Sequence, residues 1–267
     1  MKKIFLTGAS SGIGFATAKS LVQRGHEVWG TSRDPARIPA VEGLRAVRLD
    51  LCEQGGASQA FGSALEEAGH FDVVINNAGS GHFGPAEFLS DETLRIQFEL
   101  LVFGQIGLCH LALQAMQPRQ RGLIINVTSL ASRLPVPFTA AYNAAKAAIA
   151  SWTMTMQLEL GDSPIRIVDL QPGDICTDFN ESVRKEEART PQYQARMDRA
   201  WSVVDRNMTH APKPQLVANR IVELVEETNP PPRVTVGDTF QSVFAPMLFA
   251  LLPPRLRVWG LRRYYKI

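Results

Sequence analysis

Short apolar runs alternate with longer amphipathic stretches along the whole chain. "KIFLTG", "HEVWGTS", "LRAVRLD", "FDVVINN", "GLIINVTS", "IRIVDLQ" and "RVTVG" are rich in apolar and β-branched residues and read as seven buried strands. Between them, residues 12–24, 91–117, 142–160 and 215–227 have the character of helices. Buried strands separated by helices predict a parallel sheet covered on both faces, a doubly wound α/β fold of the Rossmann type. Such sheets bind ligands at the carboxyl ends of their strands. No repeat, low-complexity linker or composition break divides residues 1–267, so one domain is expected. Two regions leave the rhythm. Residues 178–213 are polar and charged, an expected helical excursion that closes over the substrate as a lid, more suited to moving than to packing. Residues 238–267 are apolar, then basic.

Composition changes this picture little. The 267 residues are 45% hydrophobic and 20% charged, enough for a sizeable core. A net charge of +2 gives no argument for a nucleic-acid partner. Cys52, Cys109 and Cys176 are far apart and the five histidines are scattered, so no metal site is expected. The thiols read as reduced, in a cytoplasmic protein. The start, "MKKIFLTGAS", lacks the apolar run of ~7–15 residues that a secretory signal needs. No segment is expected to reach the ~20 apolar residues of a spanning helix.

The first candidate chemistry is the turn in "IFLTGASSGIGFATAKSLVQRG", which runs strand, glycine-rich turn, helix, with Gly25 at the C-cap position. Gly8, Gly12 and Gly14, with Ser10, Ser11 and Ile13 between and beside them, leave main-chain N–H groups open to a bound pyrophosphate. The helix N-terminus adds partial positive charge. A glycine turn alone is weak evidence. Its place, first in an α/β chain and directly after a strand, strengthens it.

The spacing TGxxxGxG is not the usual GxGxxG; it resembles the short-chain dehydrogenase/reductase family. Asn76–Gly79 ("NNAG") follows the fourth strand as in that family, "YNAAK" fits its YxxxK, and Ser129 stands thirteen residues before Tyr142. "PGDICT" fits its PGxxxT, the segment that clasps the nicotinamide end. The likeness covers residues 4 to about 237. It implies a nicotinamide cofactor held by Gly8, Ser10, Ser11, Gly12, Ile13 and Gly14, by Ser32 and Arg33, by Asp50 and Leu51 at the adenine edge, and by Asn77, Ala78 and Gly79. Pro172, Gly173, Ile175 and Thr177 complete the set, with Tyr142 and Lys146 touching both cofactor and chemistry. It also implies a homodimer or homotetramer built through helices at about 91–117 and 142–160.

Ser32 stands where the family's NAD users carry an acid, and Arg33 follows. A guanidinium suits a 2′-phosphate, and Arg37 can add a second cation, so NADP(H) is expected in preference to NAD(H). The alternative is that Asp34 takes the ribose and Arg33 is solvated.

Tyr142 and Lys146 lie four apart, on one helix face. A phenol's ordinary pKa of ~10 is too high for neutral-pH acid–base work, and a neighbouring ammonium lowers it. Tyr142 is thus the expected general acid/base, Lys146 its tuner, and Ser129 the hydrogen-bond donor to the substrate oxygen. A tyrosine and lysine snorkelling on an amphipathic helix is the plainer reading of this pair taken alone.

One position departs from the family pattern. Aligning Phe98, Phe103 and Gly104 places Leu101 where many members have a catalytic asparagine, and leucine makes no hydrogen bond. An active but slower or more selective enzyme is expected, or one whose proton path runs elsewhere. The rival class is a sensor or scaffold that holds NADP(H) with little turnover.

Leu134, Val136 and Phe138 suggest an apolar substrate, a lipophilic ketone or secondary alcohol. Details of "NNAGSGHFGP" and "PVPFTAAYNAAKAAI" resemble the branch of 17β-hydroxysteroid and retinol dehydrogenase-like proteins. The tail runs from mostly apolar Val243–Leu252 into Arg255, Arg257, Arg262, Arg263 and Lys266, with no acid after Asp238. Covering the substrate mouth or a subunit interface is its favoured role; contact with a membrane surface through 243–267 is the second reading.

Overall fold

All seven apolar runs become parallel strands of one sheet. The computed structural model describes residues 1–179 and 183–267. Its strands are β1 (Lys3–Leu6), β2 (Glu27–Ser32), β3 (Leu44–Arg48), β4 (Val73–Asn76), β5 (His82–Phe83), β6 (Gly122–Val127), β7 (Ile165–Pro172), β8 (Arg184–Lys185) and β9 (Arg233–Val236). Seven of these pair in the order β3-β2-β1-β4-β6-β7-β9, while β5 and β8 form a separate two-stranded ribbon. In β1, Ile4 is in register with Val28 on one side and Val73 on the other.

The alternation within a strand divides the core in two. Ile4 and Leu6 point to the face covered by Ala18 and Leu21 of α1 (Gly12–Gln23). Val217 and Ile221 of the later helix Gln215–Glu226 share that face. Phe5 points to the opposite face, against Phe61 of α2 (Gly56–Ala68) and a cluster that contains Trp29 and Val74. Each such fully buried side chain contributes about 1.5–3 kcal/mol. Residue 56 onward was not among the helices expected from the pattern, because alanines and glycines leave its apolar stripe faint.

α3 (Asp91–Phe98) runs through a wide π turn at Glu99–Phe103 into α4 (Gly104–Met116). The expectation that no segment is long and apolar enough to cross a bilayer is corrected here. Asp91–Arg119 is, by length and composition, yet Leu108, Cys109, Ala112 and Met116 pack under the sheet as core. α5 (Ala140–Leu160) carries the tyrosine–lysine pair.

The expected lid at 178–213 is the ribbon strand β8 followed by α6 (Pro191–His210); residues 180–182 of it lie outside the described residues. It packs more firmly than its polarity suggested. Met197, Ala200 and Val203, three apart, bury one stripe against Phe83 and leave the charges outside. After α7 (Gln215–Glu226) and β9, the tail forms a π turn at Phe240–Phe244, then α8 (Ala245–Leu251) and α9 (Pro254–Tyr264).

Candidate active site

The strand order reverses between β1 and β4, and the crevice beyond their carboxyl ends is where such a sheet receives a ligand. Two segments are locked together there. Thr7 Oγ1 accepts the main-chain N–H groups of Asn77 and Ala78, both at 2.9 Å. The Asn77 amide returns the contact, donating to the carbonyls of Thr7 at 2.9 Å and Gly8 at 3.2 Å. That is the physical content of the NNAG sequence: it clamps the glycine turn to the neighbouring strand. Gly8 sits at φ +71°, where a side chain is strained, and a methyl on Gly14 would lie 1.9 Å from the Gly8 carbonyl oxygen. The turn therefore approaches its neighbours too closely for any residue but glycine.

Helix α5 is fixed from below. Asn76 donates to Asn126 Oδ1 at 2.8 Å, and Asn126 donates to Thr153 Oγ1 at 2.8 Å, all three side chains buried. This chain ties β4, β6 and α5 together and sets the height of the helix above the sheet. Cys109 lies in the same polar pocket, where burial pushes its thiol up to about 12, leaving it inert.

At the upper end of α5, Lys146 is buried and its Nζ donates to the Val127 carbonyl at 2.8 Å. Burial pulls the ammonium from 10.5 down to about 8, against the pull of the Asp169 carboxylate, which favours the charge. Asp169 is itself held by Arg233 Nε at 2.8 Å and Gln171 Nε2 at 2.7 Å. One turn away, the half-buried Tyr142 lies with its ring 5.9 Å from Lys146 Nζ. Ser129 caps a short turn, accepting from Ala131 N–H at 3.0 Å, and its hydroxyl hydrogen-bonds the Tyr142 phenol.

The phenol's shift corrects an expectation. In the protein alone burial raises it, with the Asp174 charge acting the same way, and the Ser129 hydrogen bond opposes them. Desolvation is the largest of these influences, so the phenol moves up even with Lys146 one turn away. Tyr142 therefore keeps its proton at neutral pH.

A cavity of about 1130 Å³ connects these parts. The cofactor and catalytic residues expected from the sequence line it: Gly8, Ser10, Ser11, Gly12, Ile13, Gly14, Ser32, Arg33, Asp50, Leu51, Asn77, Ala78, Gly79, Ser129, Tyr142, Lys146, Pro172, Gly173, Ile175 and Thr177. Of the residues expected at the substrate mouth, Leu134 and Val136 line it, whereas Phe138 packs against Phe83 instead. The turn fits a pyrophosphate: Ser10, Ser11, Gly12 and Ile13 line the cavity at the N-terminus of α1, and a Cβ on Gly12 would approach nothing nearer than Thr177, at 3.6 Å. At the far end Asp34 is already engaged: its carboxylate accepts from Ala36 N–H at 3.1 Å and caps the turn Pro35–Arg37. Arg33 and Arg37 both line that end.

Sequence reasoning missed three contributors. Thr7 and the Asn126–Thr153 pair are positioning residues whose partners are remote in sequence. The third is Asp174, inside PGDICT, whose carboxylate accepts from Gln241 Nε2 at 2.6 Å while its N–H donates to Gln241 Oε1 at 2.9 Å. That two-point clamp fastens the tail to the loop following β7.

Leu101 is fully buried inside the π turn, packed with Val102, Ala145, Phe98 and Tyr142. Exchanging it for asparagine buries an amide among apolar groups. Leu101→Asn is expected to lose about 1–3 kcal/mol of stability, measured by urea denaturation.

A parallel sheet with a glycine cradle at its switch point and a serine–tyrosine–lysine cluster on the same cavity defines a nicotinamide-dependent oxidoreductase acting on CH–OH or C=O groups. The chain belongs to the short-chain dehydrogenase/reductase family: the family model for short chain dehydrogenase matches residues 2–188. It is 31% identical to a 3-ketodihydrosphingosine reductase of Bacteroides thetaiotaomicron, covering 99% of this chain and 98% of that one. A short-chain dehydrogenase from Streptomyces avermitilis superposes with a TM-score of 0.83 at 25% identity, over 99% of this chain and 97% of the other. A family member from Burkholderia phymatum in complex with NAD gives a TM-score of 0.77 at 25% identity, over 87% and 88%.

Proposed function

We propose that the protein is an NADP-dependent oxidoreductase of lipophilic ketones or secondary alcohols, with Ser129, Tyr142 and Lys146 as its catalytic residues. The observation that carries this is their common wall in the 1130 Å³ cavity, whose opposite end holds Arg33 and Arg37. When bound, a nicotinamide dinucleotide supplies or takes up the hydride. In the direction of reduction, the Tyr142 hydroxyl gives its proton to the substrate oxygen as negative charge develops there. Ser129 donates a hydrogen bond to the same oxygen, and the Lys146 ammonium stabilises the phenolate left behind. The raised phenol suits this direction, because the proton is in place at neutral pH.

One neighbour holds NAD, so the choice of NADP rests on this chain's own residues. Asp34 is oriented by its turn through one carboxylate oxygen, and the guanidinium of Arg33 suits a 2′-phosphate. Arg33→Ala is expected to raise KM for NADPH by roughly 10- to 100-fold, the worth of one charge-assisted hydrogen bond, and to leave KM for NADH unchanged. Equal effects on both, measured by absorbance at saturating substrate, reverse the cofactor assignment.

The lipophilic substrate is supported by the apolar walls from Leu134, Val136, Val183 and Trp201, and by the name of the Bacteroides relative. The likeness to hydroxysteroid and retinol dehydrogenases remains one of motif detail. A cytoplasmic location and a homo-oligomer joined through exposed Phe103, Met154 and Leu158 accord with this reading. A panel of carbonyl compounds assayed by NADPH oxidation tests it. No turnover with any of them, despite tight NADPH binding, favours a sensor or scaffold instead.

A further inference from the structure

The tail has two faces. On its inner side, Arg257, Gly260, Leu261 and Tyr264 of α9 line the cavity. This side is pinned down: Tyr265 is buried in a cluster with Phe83, Met197 and Val203, Arg199 Nε donates to the Lys266 carbonyl at 2.9 Å, and Asn207 donates to the Tyr264 hydroxyl at 2.7 Å. The tail is therefore a docked lid edge and not a loose end.

The outer side is a different surface. At 100° per residue, Arg255, Val258, Trp259, Arg262 and Arg263 fall within an arc of about 140° on α9, away from the cavity. Val258 and Trp259 are 59% and 65% exposed. Beside them Val243, Phe244, Met247 and Leu251 are each more than half exposed, and none lines the cavity. Three further residues, with Tyr264, join the two sides. Phe240, Leu248, Leu256 and Tyr264 line the cavity and are also exposed, so its mouth opens within the apolar patch.

Charge selects the occupant. Among the described residues Arg255, Arg262, Arg263 and Lys266 have no ion-pair partner, and the last acid in the chain is Asp238. A second copy docked by twofold symmetry would set these cations against their own counterparts. An anionic headgroup layer meets them with opposite charge and accepts the tryptophan and aliphatic side chains at the acyl boundary.

We infer that Phe240–Tyr264 docks this protein on an anionic lipid surface with the cavity mouth facing the lipid. A lipophilic ketone then passes from bilayer to Tyr142 without crossing water. The docking surface is independent of the catalytic assignment; that it feeds the cavity rests on the substrate class proposed above.

The test uses the full chain with vesicles of phosphatidylcholine alone and with about one-third phosphatidylglycerol. The protein is expected to co-sediment with the anionic vesicles, much less with the neutral ones, and to be released by added salt. Brominated lipid is expected to quench Trp259 fluorescence, a signal lost in Trp259→Phe. Combining Trp259→Ala, Arg262→Glu and Arg263→Glu is expected to lower the vesicle-bound fraction about tenfold or more, with reduction of a short water-soluble ketone unchanged. Absence of vesicle binding overturns the inference, as does binding indifferent to anionic lipid. A dimer that ignores vesicles and dissociates on Trp259→Ala overturns it too, in favour of a contact between copies. Failure of the wild type to reduce any ketone counts against the catalytic reading and leaves the vesicle result standing.

Discussion

Tyr142→Phe is expected to lower kcat/KM for ketone reduction by roughly 10³-fold while leaving NADPH affinity unchanged. The exchange removes one oxygen and its proton. It keeps the ring that packs against Phe179 at 5.9 Å, so neither helix nor cavity is disturbed. General acid catalysis by a positioned group is worth about 10²–10⁴-fold, and the Ser129 contact adds to its loss because that hydroxyl also hydrogen-bonds the phenol. Stopped-flow binding of NADPH and steady-state turnover separate the two quantities. Near-normal turnover in this variant means that the proton comes from another group.

Lys146→Met is expected to do two opposite things: abolish most activity and stabilise the apo protein. Folding carries an ammonium into a site where its pKa falls from 10.5 to about 8. Below about pH 8 the folded chain holds a proton that the unfolded chain holds more favourably in water. The cost is therefore fully present at neutral pH and fades as pH rises towards 10.5, so wild-type stability increases over that window. The drop corresponds to roughly 3 kcal/mol at pH 7. Methionine fills a similar volume without charge, but leaves the Val127 carbonyl without its donor at about 1 kcal/mol, for a net gain of about 2 kcal/mol. Urea denaturation at pH 7 and pH 10 checks the sign and its disappearance. The wild-type reduction rate is also expected to fall as pH rises through about 8, because the ammonium that supports the phenolate is lost. A stability loss at pH 7 contradicts the account of a strained, buried charge.

The sheet could be read from the sequence because its strands are short, apolar on both faces and punctuated by turn residues, a pattern that does not depend on remote partners. The cofactor turn and the serine–tyrosine–lysine set were legible for a related reason: each is a local motif with a fixed spacing. What escaped was set by tertiary contact. The ribbon of His82–Phe83 with Arg184–Lys185 is two residues on each side, too short for any periodicity. The sign of the Tyr142 shift depends on how deeply the phenol is buried, which four-residue spacing does not reveal. The Gln241–Asp174 clamp joins positions 67 apart, each ordinary in its own neighbourhood. The tail's composition displayed both its apolar and basic character, but only its packing sorted inner residues from outer ones.

The π turn at Glu99–Phe103 makes the chain stricter about number than about identity. Deleting any one residue there would restore ordinary winding with Asp91–Phe98 and Gly104–Met116 still nearly in line, but would draw the bulge back into the helix and unseat Leu101 from its packing against Ala145 and Tyr142. Exchanges among aliphatic residues in this stretch should be forgiven, whereas a frame-preserving loss of one codon should not.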